Sequence, residues 1–266
     1  MTPDPITTRL DFARANTMEC AKIALQYFQT PEARPDHKSD GSPVTIADRA
    51  IETELRKRIE HHFPDDTIRG EEFPTKEGST DFEWIIDPID GTVSFVQGVP
   101  LFGTMLACLH KGTPTIGAIA IPCLDEMVIA ATGHGATHIR AGHPDTPCNV
   151  TTNAPLSSAL VVTTTPDSFR DRNALHIHDT LAQSARSLRG WSDCYAFVLL
   201  ATARIDAVIE PVVSIWDIAS VPPIITEAGG AWSDLKGNHA LDTGHFLACA
   251  APLHPELLRI TKAIDP

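Results

Sequence analysis

The sequence predicts a layered protein of mixed helices and strands, an α/β or α+β fold, and three observations carry that prediction. The first sixty or so residues show helical periodicity. Residues from about 67 to 140 break into short apolar runs separated by Gly and Pro. The remainder alternates strand-like and helix-like segments. At 266 residues the chain can bury a sizeable core, as one large domain or two small ones.

Taken in order, residues 6–30 read as an amphipathic helix, with Leu10, Met18, Ala21, Leu25 and Phe28 near one stripe and Pro31 and Pro35 ending it. A polar loop follows from Asp36. Residues 45–63 form a second helix, with Ile51, Leu55 and Ile59 four residues apart and Pro64 as its stop. Strands are expected at 81–87, 103–109, 115–121, 127–131 and 136–139. Pro144 and Pro147 lie in a polar connection, which sets an N-terminal α+β subdomain at 1–143 and a C-terminal α/β subdomain at 144–266. In the second, strand 159–164 precedes a helix at 171–184, and a helix at 193–203 precedes strand 206–210. A helix at 216–228 ends at Gly229-Gly230, read as a C-cap, before Ala231-Trp232; strand 246–250 and a helix from about 255 close the chain.

Asp and Glu number 34 against 21 Lys and Arg, a net charge of −13. This excess argues against nucleic acid, which needs a basic face. It leaves small anionic substrates open, because a bound cation reverses the local field. No apolar run approaches the ~18 residues of a membrane span, and the N-terminus shows no basic stretch followed by an apolar one. Cys20, Cys108, Cys123, Cys148, Cys194 and Cys249 form no C-x-x-C and scatter through apolar stretches, as reduced cysteines of a cytoplasmic protein would.

The chemistry concentrates in Trp84-Ile-Ile-Asp87-Pro-Ile-Asp90-Gly-Thr92. Here an apolar strand ends in two carboxylates, and Gly91 lets backbone approach a ligand closely. A helix starting near Thr92 would aim free N–H groups at the same place. Glu71 and Glu72 follow a short strand, and Asp217 opens a helix. Singly, these read as a loop cap, a solvated surface and an N-cap. Gathered in one pocket they would repel one another unless a cation held them, and hard oxygen ligands suit Mg²⁺ rather than zinc.

Trp84 to Thr92 resembles the first signature of the inositol monophosphatase family. Trp216-Asp-Ile-Ala-Ser, followed by Glu227-Ala-Gly-Gly, resembles the second. Gly70-Glu-Glu resembles the upstream metal Glu segment, and Ser42-Pro-Val-Thr-Ile-Ala-Asp48 the segment bearing the Asp partner of the motif Thr. Order and spacing agree over roughly residues 10–260. The resemblance implies a five-layer αβαβα sugar-phosphatase fold, a homodimer, inhibition by Li⁺, and dependence on Mg²⁺, about two or three ions per active site. It implies that Glu71, Asp87 and the Ile89 carbonyl hold one ion. Asp87, Asp90 and Asp217 would hold a second, and the Gly91 and Thr92 amides the phosphate. Thr92 and Asp48 would orient and deprotonate the attacking water. Phosphate monoester hydrolysis needs up to ~10²¹-fold acceleration, and one acid–base group supplies only about 10²–10⁴. Metal clamps and in-line positioning are therefore required.

Ser94-Phe-Val-Gln-Gly-Val-Pro-Leu-Phe-Gly-Thr and Arg189-Gly-Trp-Ser-Asp-Cys-Tyr-Ala resemble segments of the histidinol-phosphate phosphatases of this family. Asp193 falls where inositol-specific relatives place a non-acidic substrate contact, and Glu210 where relatives touch the organic part of the substrate. Both acids could pair with the ammonium or imidazolium of histidinol phosphate; alternatively, Asp193 caps its helix. Val93, where many such phosphatases carry a basic residue, and Ile121-Pro122, which lacks a Gln often found before that Pro, depart from the pattern. The expected substrate is thus a small phosphorylated metabolite, first histidinol phosphate. An inositol-type or broad sugar-phosphate monophosphatase, and a non-catalytic metal- or phosphate-binding module, are the alternatives. His134, His138 and His143 sit among Gly133, Gly135 and Gly142 and read as a solvated hairpin rather than a metal cluster; Lys38 reads as a surface lysine, and no G-x-S-x-G is present.

Overall fold

The computed structural model describes residues 4–31, 34–37, 43–152, 155–191, 193–262 and 264; Lys38, Ser42 and Ser192, named above, lie outside them. The first half runs α1 (Pro5–Ala21), β1 (Asp36–His37), β2 (Pro43–Val44), α2 (Ile46–His62), β3 (Thr67–Gly70), β4 (Phe82–Asp90), α3 (Thr92–Val96), β5 (Gly103–His110), β6 (Thr113–Ile121), β7 (Glu126–Ala131), β8 (Gly135–Arg140) and β9 (Thr146–Pro147). The second runs β10 (Leu160–Val162), α4 (Pro166–Asp171), α5 (Leu175–Ser184), β11 (Ser187–Arg189), α6 (Asp193–Ala201), β12 (Ala207–Glu210), α7 (Ile215–Ile218), α8 (Val221–Glu227), β13 (Gly230–Ser233), β14 (Phe246–Ala250) and α9 (His254–Thr261).

Strands β3 to β9 lie in sequence order in one seven-stranded sheet, antiparallel except for the β3–β4 pair. A five-stranded sheet has the order β11-β10-β12-β14-β13, with β10 parallel to both neighbours. Helices α1 and α2 cover the outer face of the first sheet. Helices α6, α7 and α8 fill the space between the sheets, and α5 and α9 close the far face of the second. The layering is αβαβα, as expected. No helix among the described residues is long and apolar enough to cross a membrane. All six cysteines are free.

Alternation along the strands decides which core each residue enters. Trp84 and Ile86 of β4 face the α1/α2 core, whereas Ile85 faces inward with Ala107, Leu109 and Ala219. On α2, Ile51, Leu55 and Ile59 are all fully buried, the stripe their spacing predicts. The first helix departs from expectation. It buries Phe12, Ala13, Thr17, Cys20 and Ala21, and Leu25 is 41% exposed. From Lys22 to Gln26 the chain tightens into a 3₁₀ turn, whose three residues per turn rotate the stripe away from the core. The helix expected at 216–228 is two, α7 and α8, because Pro222 and Pro223 fit a first turn but not a helix interior. The helix expected at 171–184 begins only at Leu175, as α5, and is preceded by a separate short helix, α4, that starts at Pro166. Gly229, at φ +81°, follows α8 as the expected C-cap glycine. His138 belongs to the β7–β8 hairpin but is buried rather than solvated, because its ring meets the buried Glu126 Oε1 at 2.6 Å.

Candidate active site

Residues three apart on a regular strand point to opposite faces, so Asp87 and Asp90 could not share a site on an ideal β4. The strand solves this with a bulge. Asp87 pairs with Met105 and Asp90 with Gly103, so three steps on β4 oppose two on β5. Pro88, which has no N–H to lose, sits in the bulge, and its carbonyl accepts the Thr104 hydroxyl at 2.7 Å. Parity is restored: Ile89 enters the outer core, and Asp90 turns inward beside Asp87. Beyond the bulge Gly91 takes the left-handed conformation (φ +84°, ψ 40°) that starts α3.

Asp217 arrives from the other half. Its carboxylate accepts the Ser214 N–H at 2.7 Å in a capping box, which fixes it in the first turn of α7. That helix packs on β4 through Ile215, Trp216 and Ala219 against Ile85. One carboxylate oxygen each from Asp87, Asp90 and Asp217 lies within 4.8 Å of the others. Among the described residues this is the single such gathering of three or more His, Cys, Asp or Glu ligand atoms. Glu71 lies outside that trio, in the wider cavity with Gly91 and Thr92, close enough for its charge to act on Asp87.

Burial, then the charges of Glu71, Asp90 and Asp217, push the Asp87 carboxyl well above the usual carboxylate range. Burial, then Asp193 and Asp217, do the same to Asp90, although the Cys194 N–H donates to it. Asp87 Oδ1 is buried and has no hydrogen-bond partner. Clustered acids with an orphaned inward oxygen and only oxygen donors are what a hard divalent cation would satisfy.

Asp48 is N3 of α2, with the Thr45 N–H and hydroxyl both donating to its Oδ2 at 2.8 and 2.6 Å. Burial pushes its carboxyl up to about 6. The Thr92 hydroxyl donates to the Ile89 carbonyl at 3.0 Å. Asp48 and Thr92 thus bond to Thr45 and Ile89 respectively, not to each other. Asp193 opens α6 with a positive φ of 53°. Its carboxylate lies against Gly91, where a Cβ would stand 2.9 Å from Oδ2, and accepts the Ser94 hydroxyl at 3.4 Å. Glu210, at the end of β12, accepts the Thr164 N–H at 2.8 Å and hydroxyl at 3.0 Å, and burial pushes it up to about 8. A small cavity of about 100 Å³ joins Asp90 and Asp217 to Asp193 and Glu210. A larger one, about 540 Å³, spans Glu71, Gly91, Thr92 and Asp193, and the two share Thr164. The sequence reading missed Thr164 and Thr104. Thr104 is a single hydroxyl in β5 and Thr164 one just past β10, and nothing local distinguishes them from ordinary β-formers.

The layered fold and the carboxylates gathered between its two halves define a metal-dependent type of phosphatase. The chain belongs to the inositol monophosphatase family, whose model matches residues 6–265, and it is a phosphoric monoester hydrolase. Among its relatives, a histidinol-phosphatase of Chlorobaculum parvum is 38% identical, covering 94% of this chain and 93% of that protein. A histidinol-phosphatase of Mycobacterium tuberculosis is 33% identical, over 87% and 89%. The solved structure of an inositol monophosphatase from Zymomonas mobilis superposes with a TM-score of 0.83 at 28% identity, covering 97% of this chain and 99% of that one.

Proposed function

We propose that this chain is a Mg²⁺-dependent histidinol-phosphate phosphatase, converting L-histidinol phosphate and water to L-histidinol and phosphate. The observation that carries the reading is the cavity lined by Asp90 and Asp217 together with two further acids, Asp193 and Glu210. A phosphate would sit beside Asp90 and Asp217, and a cationic organic group beside Asp193 and Glu210. Inositol phosphate has no cation to offer Asp193 and Glu210. The names of the relatives above support the same assignment.

The orphaned Asp87 Oδ1 and the all-oxygen donor set support Mg²⁺ as the ion these residues would hold. Glu71, Asp87 and the Ile89 carbonyl would hold one ion, and Asp87, Asp90 and Asp217 a second. When bound, Mg²⁺ neutralises the carboxylates, lowers the pKa of water and offsets charge on the phosphoryl oxygens. The remaining work falls to the protein. The Thr92 hydroxyl, its proton committed to Ile89, keeps its lone pairs to orient a water. Asp48, its carboxyl pushed up to about 6 by burial and with Oδ1 left to accept, takes the proton. The Gly91 and Thr92 amides orient the phosphate, and Asp193 and Glu210 orient the amine and imidazole. The same reading carries a homodimer in the reducing cytoplasm, serving histidine biosynthesis. Turnover of histidinol phosphate beside inositol phosphate, with Mg²⁺, tests it. Faster turnover of the histidinol ester is expected; equal or faster turnover of the inositol ester favours the inositol-type alternative.

A further inference from the structure

Glu52 is a fully buried carboxylate on α2, one turn beyond Asp48. Such a group is costly to bury unless it is paired and hydrogen-bonded. Its Oε2 accepts the backbone N–H of Glu72 at 2.8 Å, and its Oε1 accepts Arg56 Nε at 2.7 Å. Arg56 in turn donates through Nη2 to the Phe73 carbonyl at 3.0 Å. On the other side of the loop, a Cβ at Gly70 would stand 2.0 Å from Glu52 Oε1. The carboxylate therefore occupies the space that a side chain at 70 would need. The segment from 70 to 73 packs on this ion pair at Gly70 and is hydrogen-bonded to it at Glu72 and Phe73, and Glu71 is carried between those contacts.

We infer that Glu52 is a positioning residue for Mg²⁺: through the Glu72 amide and Arg56 it holds the loop so that Glu71 faces Asp87. The inference rests on the proposed role of Glu71 as a ligand. E52Q keeps the shape but presents one amide NH₂, which cannot accept from one of the two donors. Calorimetric titration of the full-length protein with Mg²⁺ is expected to show affinity about tenfold weaker, the cost of losing an outer support of a metal ligand. At saturating Mg²⁺, kcat and KM for the phosphate ester should return close to native values. A purely structural defect would not be repaired that way. A native Mg²⁺ isotherm, or a kcat that stays low at saturating Mg²⁺, overturns the inference. E71Q is titrated alongside. If E71Q binds Mg²⁺ as the native chain does, the reading of Glu71 fails and takes this inference with it. If E71Q binds weakly and E52Q normally, only this inference fails. R56K keeps a cation for Glu52 and loses the Phe73 carbonyl, so it carries the test alone if E52Q does not fold. A weaker isotherm is then expected, and an unchanged one overturns the inference.

Discussion

Replacing Asp87 with Asn should stabilise the metal-free protein while removing its response to Mg²⁺. Two unit charges 4.8 Å apart, the outer limit within the trio, repel by about 3.5 kcal/mol at an effective dielectric of about 20. Asp87 takes part in two such pairs, with Asp90 and Asp217, so full ionisation would cost about 7 kcal/mol on its account alone. Total stability is only about 5–15 kcal/mol for a typical domain, so the metal-free trio must retain protons, and that relieves much of the repulsion. A residual gain of about 2 kcal/mol at mildly alkaline pH corresponds to a Tm rise of about 5 °C for a chain of this size. In the native protein Mg²⁺ at a hundred times its Kd contributes about 2.7 kcal/mol. Differential scanning calorimetry in EDTA and in Mg²⁺ should therefore show the order of the two proteins inverting. D87N melts higher without metal and lower with it, and its hydrolysis falls by at least about 10³-fold. A D87N protein that melts below the native one in EDTA, or rises with Mg²⁺ as the native one does, would refute the reasoning.

Further expectations concern other residues of the site. Asp193→Asn should raise KM for histidinol phosphate while leaving a neutral phosphate ester almost unaffected; equal loss on both esters in steady-state assays would assign Asp193 to capping. Glu210 is pushed up to about 8 by burial, so it must ionise to pair with a cation. The KM for histidinol phosphate should rise as pH falls below about 8, and E210Q should flatten that dependence. The same raised carboxyl has a sign for stability: its contribution is full below its unfolded pKa and is lost as pH rises towards 8. Metal-free E210Q should therefore lose less stability across that window in urea titrations. If Asp48 takes the proton, kcat should fall on the acid side of about 6, and D48N should remove most activity while its melting point in Mg²⁺ still rises. Gly91→Ala meets Asp193 Oδ2 at 2.9 Å and a φ of +84°, a backbone cost of about 1–2 kcal/mol that calorimetry would register.

Much of the site was legible because its chemistry is written in short spacings. Asp87, Asp90 and Asp217 were marked by an apolar strand, a Gly-Thr helix start and a Trp-Asp helix start, and the structure brings them together. The bulge that makes this possible was not legible. A strand with two acids three apart carries no sign of an extra residue except Pro88, and the Thr104 hydroxyl that holds the bulge lies sixteen residues away. Helix faces were read at 3.6 residues per turn, so the 3₁₀ segment at Lys22–Gln26 put Leu25 on the wrong side. Glu52 was invisible for a related reason. An i, i+4 Glu–Arg pair on a helix looks like a solvated surface pair until the loop from 70 to 73 is folded over it.

The seam between β4 and α7 is small. Only Ile85, Ala107, Leu109 and Ala219 form its buried core, with Ile215, Trp216 and Leu241 at its edge. It brings Asp217 to Asp87 across some 130 positions of chain, beside the larger core that α6 and α8 make with the first sheet. A contact of such modest area opens more readily than the larger core beside it. Magnesium bridging its two sides would act there as a rivet. Amide exchange around residues 214–218 should therefore slow when the ion is added, well before the larger core beside the seam responds, and the metal would serve as much to hold α7 against β4 as to activate water.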